Sequence, residues 1–199
     1  MKILLIGASG TLGSAVKERL EKKAEVITAG RHSGDVTVDI TSVDSIKKMY
    51  AQVGKIDAIV SATGSATFSS LAELTPEKNA VTISSKLGGQ INLVLLGMNS
   101  LNDNGSFTLT TGIMMEDPIV QGASAAMANG AVTAFAKSAA IEMPRGIRIN
   151  TVSPNVLEES WDKLESFFQG FVPVPAAKVA HAFEKSVFGA QTGETYKVY

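Results

Sequence analysis

Residues 2–13 read KILLIGASGTLG, and the reading of this stretch decides the fold. Ile3, Leu4, Leu5 and Ile6 are a short unbroken apolar run bounded by glycine, the pattern of a strand buried on both faces of a parallel sheet. Gly7, Gly10 and Gly13 follow at even spacing. Leu12, Ala15, Val16 and Leu20 then recur at helical period, so a helix begins inside the glycine turn. Strand, glycine turn and helix in this order suit a dinucleotide. The glycines permit a tight turn and close backbone approach, and the helix start offers free N–H groups to a pyrophosphate. Gly7, Ser9, Gly10, Thr11, Leu12 and Gly13 are the candidate contacts.

Outward from this turn, the chain alternates strand and helix. Residues 24–30 (AEVITAG) read as a second strand with Arg31 and His32 at its end, and residues 36–39 (VTVD) as a short third. Thr41 and Asp44 have capping-box spacing before a helix with Ile46, Met49, Tyr50 and Val53 on one face. Residues 57–61 (DAIVS) form strand four. Thr75-Pro76-Glu77 is a helix start; helical pattern resumes after Ser84 and runs to about Ser100. Asn104-Gly105 turns into strand five at 106–111 (SFTLTT). A long Ala-rich helix spans 123–142, strand six spans 147–152 (IRINTV), and Ser153-Pro154-Asn155 ends it. A short helix at 158–168, a helix at 176–188 and a last strand near 194–198 complete the chain. The expectation is an α/β fold: one dinucleotide-binding domain over 1–199, a parallel sheet doubly wound by helices, with ligand beyond the C-terminal strand ends.

Bulk properties narrow the function. At 199 residues, 45% apolar and 19% charged, the chain has the composition of one ordinary globule. A formal net charge of −1 points to neither nucleic acid nor a membrane surface as partner. With no cysteine, thiol nucleophiles and thiolate metal sites are excluded, and with two histidines the familiar zinc motifs are absent, so no metal is expected. No apolar run approaches a membrane span or a signal-peptide core, and the expected setting is cytoplasmic.

Six stretches together resemble the short-chain dehydrogenase/reductase family: GASGTLG at 7–13, with Thr11 where the family's middle glycine sits; Asp39-Ile40; SATG at 61–64; TLTTG at 108–112; ANGAVTAFAKSAAIE at 128–142; and IRINTVSPN at 147–155. The resemblance covers nearly the whole chain. It implies a Rossmann-like seven-stranded sheet of order 3-2-1-4-5-6-7 and a bound NAD or NADP. Asp39 and Ile40 would meet the adenine, and Ser61, Ala62, Thr63, Pro154 and Asn155 would complete the cofactor contacts. It also implies a homodimer or homotetramer formed through the helices after strands four and five. NADP is favoured over NAD on charge: the second strand ends in Gly30-Arg31-His32, with no acid until Asp35, and a guanidinium there suits a 2′-phosphate.

The family's acid/base pair is missing. Ala125 stands at the tyrosine position and Asn129 at the lysine position, and no tyrosine lies between strands five and six. Thr110 and Thr111 stand near the usual serine, and Lys86 about where an asparagine is usual. Two readings follow. In the first, the protein is an NADP-dependent oxidoreductase of a small carbonyl or alcohol. Lys86 then acts as acid or oxyanion partner, Thr110, Thr111 and Ser124 orient the carbonyl, and Glu116 and Asp117 sit at the cleft mouth to meet a cationic substrate. In the second, it is an inactive NADP(H)-binding sensor or interaction module, with Trp161, Phe167, Phe168 and Phe171 at an interface.

Overall fold

The computed structural model describes all 199 residues, Met1–Tyr199. Strand β1 is Lys2–Ile6, β2 Glu25–Gly30, β3 Val36–Thr37, β4 Ile56–Ser61, β5 Leu101–Thr110, β6 Arg148–Pro154 and β7 Thr195–Val198. They form one parallel sheet in the order β3-β2-β1-β4-β5-β6-β7. Helices α1 (Thr11–Leu20), α2 (Val43–Val53), α3 (Pro76–Thr82), α4 (Gln90–Gly97), α5 (Ala123–Ala139), α6 (Trp161–Leu164) and α7 (Ala176–Phe188) connect them. The alternating pattern implied the parallel sheet, and the resemblance implied this Rossmann-like order.

The apolar run in β1 works as its lack of alternation demands. Leu4 and Ile6 enter a core with Ile46, Met49, Leu93 and Val132, from α2, α4 and α5. Ile3 and Leu5 enter the opposite core with Val16, Leu20, Val179 and Phe183, from α1 and α7. Both faces of the strand are thus covered, and a polar residue anywhere in 3–6 would be stranded. Glu184 of α7 binds Arg19 of α1 and Lys23 just beyond it, tying together the two helices that cover the second face.

Local boundaries differ from the sequence reading in four places. Ser42, not Thr41, caps α2, its hydroxyl accepting from the Ser45 N–H, while the Thr41 hydroxyl donates to Asp39. Strand β5 begins at Leu101, because Asn104 takes its left-handed φ of 61° inside a register shift rather than in a turn before the strand. Strand β6 runs on through Pro154, which sits at its last position beside Val198 and so costs no interior ladder bond. The stretch after Asn155 forms only a 3₁₀ turn, Glu158–Ser160, and the single turn α6; its aromatics gather round Ile113 and Val156.

The helix after β4 is continuous from Pro76 to Gly97 but contains a π-helical segment, Ile83–Gly89. At the end of the segment the Gln90 N–H reaches back only three residues, to the Leu87 carbonyl, which leaves the Lys86 carbonyl without its α-helical partner. The buried Gln90 side chain fills that role. Its Nε2 donates to the Lys86 carbonyl at 3.0 Å and to the Thr110 carbonyl at 2.8 Å, and its Oε1 accepts from the Thr110 N–H at 2.8 Å. One carboxamide thereby locks the backbone of Lys86 to the end of β5.

Candidate active site

Sheet order reverses beside β1: the chain leaves β1 for β2 on one side and later returns to β4 on the other. The crevice at the C-terminal end of β1 and β4 is therefore where an α/β sheet receives ligand. Gly7 sits there at φ 91°, and a Cβ on it would lie 2.5 Å from the Ala62 carbonyl oxygen. At Gly13 a Cβ would collide with the Gly7 carbonyl, so helix α1 can approach the strand only without one. Gly10, the N-cap, has open space, its nearest neighbour being the Gly7 oxygen at 3.5 Å. The first intrahelical bond runs from the Ser14 N–H to the Gly10 carbonyl, so the amides of Thr11, Leu12 and Gly13 precede it. A tight turn, a bare N-cap and unused amides at the positive end of a ten-residue helix fit a pyrophosphate.

One cavity borders this turn, and a second lies across the loop after β4. The first, about 250 Å³, is lined by Ile6, Gly7, Ser9, Gly30, Arg31, Val38, Ile40, Thr63, Ser65 and Ser85. It brings together five of the residues expected to hold cofactor: Gly7, Ser9, Arg31, Ile40 and Thr63. The second, about 410 Å³, contains Lys86, Thr111, Pro154 and Asn155 in its wall, together with Gly64 and a largely apolar surround. Thr63 and Ser65 line the one and Gly64 the other; Ser85 lines the one and Lys86 the other. The loop after β4 and the π-helical segment thus contribute neighbouring residues to both cavities.

The remaining expected contacts lie apart from the cavity walls. Ala62 faces Gly7 with its backbone, Ser61 is buried beneath, and His32 is exposed and lines neither cavity. Asp39 is tied to Arg31 at 3.2 Å and to Thr41, whose hydroxyl is the main reason its carboxyl is held below the usual range. Asp35 spends its carboxylate on the N–H and hydroxyl of Thr28, both at 2.8 Å. Both acids near the end of β2 stay anionic, Asp39 paired with Arg31 and Asp35 held on Thr28.

On the chemical side, three expectations are corrected. Thr110 does not face the second cavity: its hydroxyl donates to the Ser61 carbonyl across the sheet. Ser124 is occupied with Asn79 at 2.6 Å, linking α5 to α3. Glu116 is paired with Lys197 at 2.8 Å, and neither it nor Asp117 lines the cavity. Thr111 does line it, but its hydroxyl donates to the Val152 carbonyl at 3.2 Å.

Lys86 is the only ionisable side chain in the wall of the second cavity. It is half-buried, and desolvation of its ammonium pulls the pKa down to about 8. Ala125 and Asn129, at the positions of the missing pair, are fully buried on α5. The Asn129 carboxamide lies against Gly112, where a Cβ would stand 3.1 Å from its Nδ2, and neither of its polar atoms has a protein partner. Removing that amide strands no other group. Asn129→Leu is expected to raise the unfolding free energy by about 1–3 kcal/mol, the cost of an unpaired buried polar group. Chemical denaturation measures this, and a loss of stability would show that the carboxamide is satisfied after all.

Gln90, Ser65, Ser85, Gly64 and Gly112 were not singled out from the sequence. Gly64, at φ 122° with a Cβ position 2.9 Å from the Lys86 Cα, is the one with a signal: a glycine closing the SATG stretch. No group of His, Cys, Asp or Glu side chains is arranged to hold a metal ion, and no helix is long and apolar enough to cross a membrane.

Comparison with known proteins places this geometry. The protein lin1944 from Listeria innocua, a crystal structure, is 92% identical, with 100% of both chains covered and a TM-score of 1.00. A small-chain dehydrogenase in complex with NADPH is 21% identical, covering 100% of this chain and 96% of that one at a TM-score of 0.88. A short chain dehydrogenase from Mycobacterium smegmatis is 20% identical, covering 100% and 91% at 0.85. These last two share the fold. No curated protein matches the chain. A family model described as enoyl-(acyl carrier protein) reductase matches residues 7–181, from the glycine turn into α7. With the sheet order, the glycine cradle and that match in agreement, the chain belongs to the short-chain dehydrogenase/reductase family.

Proposed function

We propose that residues 1–199 act as one NADP(H)-binding unit that reduces a small carbonyl compound, with Lys86 as the proton donor. The observation that carries this reading is the position of Lys86, the sole ionisable group in the cavity across the loop after β4. The glycine cradle would hold the pyrophosphate, and Arg31 the 2′-phosphate. When bound, NADPH supplies the hydride. Lys86 Nζ gives its proton to the carbonyl oxygen as the new C–H bond forms, and solvent entering the cavity mouth reprotonates the amine. A pKa near 8 suits this work, since a group close to the ambient pH both holds its proton and releases it. Gln90 keeps the lysine backbone in register with the strand end.

NADPH binding by calorimetry, followed by NADPH oxidation across a panel of aldehydes and ketones, tests the reading. Tight binding with no oxidation by any compound would favour the inactive sensor instead. The outer faces of α4 and α5 support self-association: Leu95 is exposed there, beside a groove of about 360 Å³ lined by Val94, Met98, Phe135 and Met143 among others. Light scattering is expected to report a dimer or tetramer, and a monomer at every concentration refutes that part.

A further inference from the structure

The wall of the second cavity says what kind of molecule the site takes. Resting on the reductase reading, we propose that the substrate is an uncharged ketone or aldehyde carried on an apolar, ring-sized body.

The argument starts from what the wall can offer to hydrogen bonds. Thr111 has given its hydroxyl proton to Val152. Both ends of the Asn155 carboxamide are spent, Nδ2 on the Val172 carbonyl at 2.9 Å and Oδ1 on the Val156 N–H at 2.7 Å. Lys86 is left as the one charged donor in the wall, and the Ser160 hydroxyl is the other side-chain donor there not bonded within the protein. A substrate with one or two polar atoms can satisfy these and leave nothing stranded. A polyhydroxylated substrate would bury hydroxyls without partners, at a cost of about 1–3 kcal/mol each.

Charge excludes two further classes. An ammonium-bearing substrate would enter a desolvated space beside a second cation. Glu116 is held by Lys197, the Glu159 carboxylate accepts from the Ala176 N–H, and no carboxylate lines the wall. A carboxylate-bearing substrate would pair with Lys86, raise its pKa and draw the ammonium from the carbonyl, so it would bind without reacting.

The rest of the wall is built for an apolar body. Ile113, Met114, Val156, Leu157, Leu164 and Phe168 line it, and Phe168 is braced edge-to-face by Phe171 at 5.3 Å and 82°. Phe68 stands at the rim, 46% exposed, on the loop that follows β4. Aromatic and branched walls with one convergent polar group are how small-molecule pockets fix orientation.

The test is a matched set: an aryl alkyl ketone, the same ketone with a ring carboxylate, the same with a ring aminomethyl group, and a ketose. Each is given to the NADPH-loaded protein, with kcat/KM and ligand-observed saturation-transfer NMR as separate readouts. The uncharged ketone is expected to exceed the aminomethyl ketone and the ketose in kcat/KM by at least about 100-fold. The carboxylate is expected to inhibit competitively, with that inhibition lost in Lys86→Met. Equal or better turnover or binding of the ketose or aminomethyl ketone overturns the substrate class and leaves the reductase reading standing. Saturation transfer to the aryl ketone without NADPH oxidation upholds the ligand class and overturns the reductase reading. No transfer and no turnover with the aryl ketone overturns the class.

Discussion

Lys86→Met is expected to lower kcat for carbonyl reduction by about 10²–10⁴-fold, the usual worth of a positioned acid. The Kd for NADPH should stay nearly unchanged, since the glycine cradle and Arg31 lie in the other cavity. The pH profile gives a second readout. The reductive rate should fall as pH rises through about 8, where Lys86 loses its proton, and the reverse oxidation should gain over the same range. Stability should move the other way. The folded-state pKa lies below the ordinary 10.5, so between about 8 and 10.5 the unfolded chain binds more protons than the native one, and this group's penalty fades as pH rises. At neutral pH the ammonium is held at a cost, and Lys86→Met should raise Tm while removing activity. Unchanged turnover in this variant clears Lys86 of any chemical role.

Arg31→Glu is expected to weaken NADPH by about 100-fold, from loss of a charge-assisted contact plus introduced repulsion, while NADH changes far less. The wild-type arrangement makes this contrast sharp. Arg31 reaches Asp39 through a single nitrogen at 3.2 Å and remains more than half exposed, so most of its donors face outward. Asp35 is held on the N–H and hydroxyl of Thr28 and makes no pair with Arg31. Replacing the guanidinium by a carboxylate would place two acids, positions 31 and 39, side by side at the end of β2. Equal losses for NADPH and NADH, read by calorimetry at matched ionic strength, remove the phosphate assignment.

The opening strand and turn were legible because local rules suffice there. A four-residue apolar run needs cover on both faces, and glycine alone tolerates the approaches at 7 and 13. The alternation of strand and helix implied a parallel sheet, while its order came only from the family resemblance. The second cavity was legible only in part. Lys86 could be placed near it by position in the chain, but which hydroxyls face it depends on sheet register: Thr110 ends β5, Thr111 follows it, and the two bond to different partners. Glu116 looked like a free acid at a cleft mouth because its partner, Lys197, lies at the far end of the chain. Gln90 was invisible for a subtler reason. Its importance arises only from the π-helical widening, and no residue in ISSKLGG announces that geometry.

That widened segment bears on how related chains should be compared. Excising the one extra residue that this widening accommodates would restore ordinary winding and leave the flanking turns in phase. Only side chains inside the widened span, Lys86 among them, would change direction, while sheet, cradle and both cores stayed intact. Two homologues differing by one position here would share a fold and a nucleotide cradle, yet present different side chains to the second cavity. Insertion length in this short span is thus a sharper guide to reactivity than overall percentage identity.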